Sequence, residues 1–254
     1  MTSIEEEGNK PKDSSIISIL GLALSVVAAL TAALAGFGSR WGLWYFTVGF
    51  KILSLAALGG IVASVVSMVG AVITLRKGQR TGLILSCMAL ALGLATFGIP
   101  FSWFLAAQRL PKIHDITTDT GDPPSFVAIL ALRKNALDPP EYGGIETAMQ
   151  QREAYPDIRP LMLETTTNNA FDRARSTARR MGWDIVSASK RDLRIEATDT
   201  SFWFGFKDDI VVRITPVDEK SRIDVRSVSR VGLSDLGTNA ERIRKYLKEL
   251  SKSR

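Results

Sequence analysis

The sequence predicts a three-span α-helical membrane anchor followed by a soluble α+β domain, an antiparallel sheet of four or five strands packed with two helices. Three observations carry that prediction. Apolar runs at residues 16–38, 52–75 and 82–107 fill the first 108 residues, and each exceeds the roughly 20 residues a helix needs to cross a bilayer. Charge is divided unevenly: residues 1–108 hold only 7 of the 32 Lys+Arg and 4 of the 26 Asp+Glu in this 254-residue chain. From Thr165 onward a helical period gives way to a run of period-two segments and then returns. The organisation is therefore a cytoplasmic tail (1–15), a transmembrane block (16–108) and a soluble domain (109–254).

The tail is polar, with Glu5, Glu6 and Glu7 ahead of Lys10, Lys12 and Asp13. Ala33-Leu34-Ala35 resembles a signal-peptide cleavage site, but the preceding apolar stretch is too long and its flank too acidic. The first run therefore reads as an uncleaved anchor. Trp41, Trp44, Tyr45, Phe46 and Phe50 cluster between Arg40 and Lys51, where amphipathic rings suit a membrane–water interface. Arg76, Lys77 and Arg80 occupy the next connector, and the positive-inside rule places it in the cytoplasm. The C-terminal domain then lies on the far side, periplasmic in a protein of the bacterial inner membrane. Five basic residues inside (Lys10, Lys12, Arg76, Lys77, Arg80) against four outside (Arg40, Lys51, Arg109, Lys112) set this orientation; the inverted topology would make a cytoplasmic regulator instead.

No Asp, Glu, Lys, Arg or His falls within the three runs, so the ionisable groups that transport pathways and proton relays use are missing. Small residues pair at four-residue spacing, Gly21 with Ser25, Gly60 with Ser64, Ala63 with Ser67 and Ala89 with Gly93. Such faces let helices approach closely, in a compact three-helix bundle or in a homo-oligomer. Pro100, with Gly98 beside it, is expected to kink the third span.

Pro111 to Asp157 is rich in turn formers and predicts an irregular segment wrapping the domain, with a short helix near 145–154. Phe171, Ala174, Ala178 and Met181 share one face of a helix stopped by Gly182. Strands follow: Leu193, Ile195 and Ala197 oppose Arg194 and Glu196; Ile210, Val212 and Ile214 oppose Val211 and Arg213; Ile223 and Val225 oppose Arg222, Asp224 and Arg226. Residues 183–187 and 202–206 are two further strand candidates. One apolar face per strand predicts a sheet covered on one side. Thr238 and Glu241 form a capping box for a last helix with Ala240, Ile243, Tyr246, Leu247 and Leu250 as its buried stripe.

The chemistry-bearing residues are few. Cys87 and His114 are the only cysteine and histidine, which removes disulfides and multi-His or Cys-based metal sites. No cofactor is implied. His114 with Asp115, Asp119 and Asp122 could bind a divalent ion or supply acid and base, although Asp side chains at such spacing equally cap a polar turn. Asp208-Asp209 reads as a turn before a strand. Arg222, Arg226 and Arg230 share a strand face with Asp224, where they could grip phosphate or carboxylate groups bidentately or pair across strands. Arg173, Arg175, Arg179 and Arg180 form a second basic patch. Beside a bilayer, membrane lipids are the natural partner, and an envelope protein is the other. The domain holds 25 basic and 22 acidic groups, a balance that argues against nucleic acid. No phosphate loop, nucleophile elbow or zinc-protease signature occurs.

Several blocks resemble a known family. His114-Asp115-Ile116-Thr117-Thr118-Asp119, Pro123-Pro124 with Phe126, Tyr155-Pro156-Asp157-Ile158, Met181-Gly182-Trp183, Ile195-Glu196-Ala197, residues 205–209 and the run SRIDVRSVSRVGLSDLGTNAER at 221–242 appear in order. This pattern is similar to domain of unknown function 1499, over about residues 110–250. The resemblance implies a bacterial envelope setting and no reaction. It places His114, Asp115, Asp208, Asp209, Arg226, Ser227 and Arg230 in signature blocks, and with Asp119 the non-arginine members make the candidate functional cluster. The sequence thus favours a membrane-anchored binding or structural module over a metal-assisted hydrolase built on His114 and its neighbouring aspartates.

Overall fold

The computed structural model describes residues 15–134 and 136–252; the cytoplasmic tail expected at 1–15 lies outside them except for Ser15. The chain divides into two compact units, residues 1–104 and 105–254.

Three long helices make the first unit: α1 (Ile16–Arg40), α2 (Phe46–Arg76) and α3 (Arg80–Arg109), all apolar and long enough to span a membrane. One detail differs from the sequence reading: α2 begins at Phe46, so Phe46, Phe50 and Lys51 belong to its first two turns rather than to the connector. α3 runs from Arg80 to Arg109 with Pro100 inside it. The small residues are used inside the bundle. A methyl group at Gly60 would stand 2.7 Å from the carbonyl oxygen of Gly93, Ser25 donates to Ala89 O at 2.7 Å, and Ser86 donates to the Ser18 hydroxyl at 2.9 Å. All eight residues of the four small pairs are buried. Close backbone approach and internally satisfied hydroxyls are how helices associate where lipid offers no hydrophobic driving force.

The second unit is an open, all-antiparallel sheet of six strands: β1 (Asp115–Thr117), β2 (Leu161–Leu163), β3 (Asp184–Ser189), β4 (Arg194–Thr200), β5 (Lys207–Val217) and β6 (Lys220–Ser229). The order is β1-β6-β5-β4-β3, with β2 also pairing along β6. Helices α5 (Thr167–Arg180) and α6 (Thr238–Lys252) cover one face. Their core joins Phe171, Ala174 and Ala178 to Ile195, Ala197, Ile210, Val212, Ile223 and Val225, closed by Ile243, Tyr246 and Leu250. Gly182 stops α5 at φ +80°, a conformation glycine adopts without strain.

The other face is covered as well, contrary to the one-sided sheet the alternation suggests. Phe126 and Ile129, in and before a short 3-10 helix (Ile129–Leu132), pack on Val211 and Val228. Glu196 is buried on that face and accepts hydrogen bonds from the amides of Val127 (3.0 Å) and Ile129 (2.9 Å). Helix α4 (Gly144–Ala154) falls where the sequence places a short helix; its Gln151 bonds both the N–H and the C=O of Thr117, extending β1 as a neighbouring strand would. Residues 202–206 are a turn-rich loop rather than a strand, closed by Ser201 N–H to Phe206 O at 2.8 Å. Asp235, not Thr238 and Glu241, caps α6: its carboxylate accepts from the amides of Gly237 (2.9 Å) and Asn239 (2.6 Å). A carboxylate there also faces the positive end of the helix dipole.

Candidate functional site

Strand alternation sends the ionisable residues to two faces, and each finds an opposite charge there. On the face away from α5 and α6, β6 presents Arg222, Asp224 and Arg226, with Arg230 just past its end, and β5 presents Asp209 and Arg213. The outward ladder of the sequence reading is corrected by this geometry: Arg226 is 2 % exposed, because Asp115, Pro124, Phe126, Pro140 and Tyr142 close around it. Its guanidinium makes a two-pronged pair with Asp115 from β1 at 2.8 and 2.7 Å. It also donates to the carbonyls of Pro124 and Pro140, and lies 5.1 Å and 5.5 Å from the ring centres of Phe126 and Tyr142. Charge, planar donors and aromatic faces together suit arginine and would not suit lysine. Burial, reinforced by the nearby Asp115 carboxylate, pushes the Tyr142 hydroxyl up to about 12.

A second cluster surrounds Asp209, which is fully buried. Arg133 (2.8 Å) and Thr198 (2.7 Å) donate to its two oxygens, and Arg230 spans both at 2.9 and 2.8 Å. Burial alone would raise this carboxyl, but hydrogen bonds from Arg230, Thr198 and Arg133 together outweigh it and hold it below the ordinary value. In a third group, Asp224 takes Arg213 at 3.2 Å and Arg222 at 3.1 Å. Arg222 also reaches Asp119 at 2.5 Å, and Arg213 reaches Asp122 at 2.8 Å. The Asp119 carboxylate additionally accepts from the amides of Gly121 and Asp122, the turn-capping role open to it from sequence.

Asp208 points to the opposite face. There Arg242 of α6 bridges it (2.6 Å) to Asp199 (2.9 Å) and donates to Ser227 (3.1 Å) and Asn239. Asn239 in turn accepts from Ser227 (2.6 Å) and donates to Ser229 and to the His114 carbonyl (2.8 Å). The His114 ring bonds the Gly232 carbonyl oxygen through Nδ1, with Asp138 3.8 Å away.

His114, Asp119, Asp208 and Asp209 therefore do not form one site. Asp208 and Asp209 stand on opposite faces, Asp208 shares a network with Ser227, and Asp115 belongs to Arg226. Among the described residues no group of three His, Cys, Asp or Glu is arranged to hold a metal ion. The partners that sequence reasoning missed are Arg133, Arg213, Asn239 and Arg242. Asn239 and Arg242 left a signal: two polar residues falling on the buried stripe of α6. Apart from these pairs, a cavity of about 310 Å³ lies between α4 and the β1 end, lined by Thr118, Thr120, Gln151, Arg152, Tyr155 and Arg159.

These networks make stability depend on acid. Asp209, Asp119 and Asp157 all titrate below 3.8 in the folded state. Their contribution is complete above that value and is lost as pH falls through the lowered folded values. Asp235 runs the other way: burial raises it, so its ionisation costs stability as pH rises from 3.8 through its folded value. The thermal midpoint is expected to fall steeply below about pH 4. Asp209→Asn should flatten that fall, and a series of melting scans against pH checks it.

The blocks that build these networks decide the comparison. A family profile described as "Protein of unknown function (DUF1499)" matches residues 115–250. The chain belongs to this family. No curated protein matches it. Within this DUF1499 chain, Asp115, Asp209, Arg226, Arg230 and Arg242 lie inside the matched region, where they cross-link β1, β5, β6 and α6 and tie in Pro124, Arg133 and Pro140.

Proposed function

We propose that this DUF1499 protein is a non-catalytic, membrane-anchored module of the bacterial envelope. In this reading it is a multi-pass protein of the inner membrane whose C-terminal domain is periplasmic and binds membrane lipid or an envelope partner. One observation carries the proposal: the charged residues of the signature blocks are engaged with one another at hydrogen-bonding distance. A metal-assisted hydrolase would need His114 and its neighbouring aspartates free to meet a metal and a substrate, whereas Asp115 and Asp119 hold arginines. A homo-oligomer would have to form through the lipid-facing sides of α1–α3, since the small-residue faces are occupied within the bundle.

The side of the membrane is tested by fusions to the C-terminus. Alkaline phosphatase is expected to be active there and green fluorescent protein dark. Fluorescence without phosphatase activity would turn the domain to the cytoplasm. In the same strains His114→Ala should behave as wild type; loss of function with the fold intact would favour the hydrolase.

A further inference from the structure

The two ends of the sheet differ in chemistry. At one end lie the segment entering β1, the loop before Asp138, the β4–β5 loop and the β6–α6 loop. The antiparallel register puts Asp115, Thr200, Lys207 and Ser229 together there, and the amides of Leu137 and Asp138 donate to Arg230 O. Large apolar side chains stand out from these loops: Leu233 is 83 % exposed, Phe202 78 % and Leu137 68 %, with Leu132 and Leu236 also exposed. Lys112, Lys134 and Lys207 are exposed at the same end. The opposite end carries the β3–β4 turn with Lys190, Arg191 and Asp192 and the β5–β6 hairpin with Asp218, Glu219 and Lys220; Val217 is the large apolar side chain exposed at that hairpin.

Large apolar side chains exposed at loop tips on one end of a domain mark an interaction site. Its occupant is set by connectivity. Only five residues separate Arg109, the last of α3, from Asp115, the first of β1, a reach of at most about 20 Å. The apolar tips are therefore tethered close to the end of a membrane-spanning helix, and apolar tips ringed by lysines match an acyl boundary beneath anionic headgroups.

We propose that this end of the domain docks into the bilayer leaflet on its own side. Phe202, Leu233 and Leu137 enter the interface, and Lys112, Lys134 and Lys207 contact anionic phospholipid headgroups. The inference rests on the membrane-anchored part of the proposed function but not on which side the domain occupies.

The test uses the full chain in nanodiscs, with Cys87→Ser as background and an environment-sensitive nitrobenzoxadiazole label on Leu233→Cys, Phe202→Cys or, at the opposite end, Val217→Cys. All three positions are exposed, so the substitutions leave the core untouched. With phosphatidylglycerol present, labels at 202 and 233 are expected to shift to the blue. Doxyl lipids should quench them several-fold more than the label at 217. Changing Lys112, Lys134 and Lys207 to Glu should abolish the dependence on phosphatidylglycerol. Labels at 202 and 233 as water-exposed as that at 217 would overturn the proposal. Quenching that ignores phosphatidylglycerol would also overturn it, reducing the contact to an effect of the tether. Both leaflets are equivalent in a nanodisc, so this result is independent of the fusion experiment.

Discussion

Asp209→Ala is expected to destabilise the soluble domain by about 3–5 kcal/mol, the range for removing one partner of a buried ion pair. The carboxylate is fully buried and receives Arg133, Arg230 and Thr198. Deleting it strands the Arg133 guanidinium, also buried, beside a second positive charge with nothing between them. An isolated buried charge is penalised far more than an exposed one, so the loss should exceed that from Lys190 or Asp172, whose surface pair is worth about 0–1 kcal/mol. Hydrogen exchange of the β5 and β6 amides in the full chain measures it. A shift under 1 kcal/mol would mean that water reaches the site.

Tyr246→Ala is the other large effect, and its origin is packing. Tyr246 is fully buried in α6, stacks on Trp183 with ring centres 4.8 Å apart, and donates its hydroxyl to Ala174 O at 3.0 Å. Burial drives that hydroxyl well above the ordinary tyrosine value, so it stays a donor. Removing the ring opens a cavity between both helices and the sheet, at a cost of about 3–5 kcal/mol. Tyr246→Phe keeps the ring and removes one buried hydrogen bond to a carbonyl that keeps its own partner within α5, which should cost about 0.5–1.5 kcal/mol. Equal losses in the two variants would place the energy in the hydrogen bond instead of the ring.

These two sites differ in how far the sequence announced them. Tyr246 falls on the helical stripe with Ala240, Ile243 and Leu250, so local periodicity reveals its burial. β4–β6 are legible for the same reason, their apolar residues repeating at the period of the strand, and the three membrane helices are legible from the length of their uncharged apolar runs. β1 and β2 have three residues each, too few to show a period. Nor does a period mark residues 118–132, although Phe126 and Ile129 pack onto the sheet.

That hidden cover explains the misread ladder. Arg226 and Glu196 alternate with apolar neighbours as solvent-facing residues do, and only partners far along the chain, Asp115 and the Val127 and Ile129 amides, make their burial tolerable. Likewise the density of charge around His114 and Asp115 signals a special environment, but pairing by distant arginines gives the same local pattern as a reactive site. The capping box at Thr238 and Glu241 gives way to a nearer competitor. Asp235 lies three residues before Thr238 and offers a charged acceptor to the same helix end, which outcompetes a hydroxyl.

The charged residues of the signature blocks are expected to hold the fold together. For the Asp115–Arg226 pair this is measured by a double-mutant cycle of Asp115→Ala and Arg226→Ala, read by hydrogen exchange of β6 in the full chain. Each single variant is expected to lose about 3–5 kcal/mol, and the double variant should lose clearly less than the two together, because its second deletion removes the stranded charge. Single variants as stable as wild type, or more so, would contradict this expectation. Residues held in place for a ligand or a reaction commonly leave a protein more stable when they are removed.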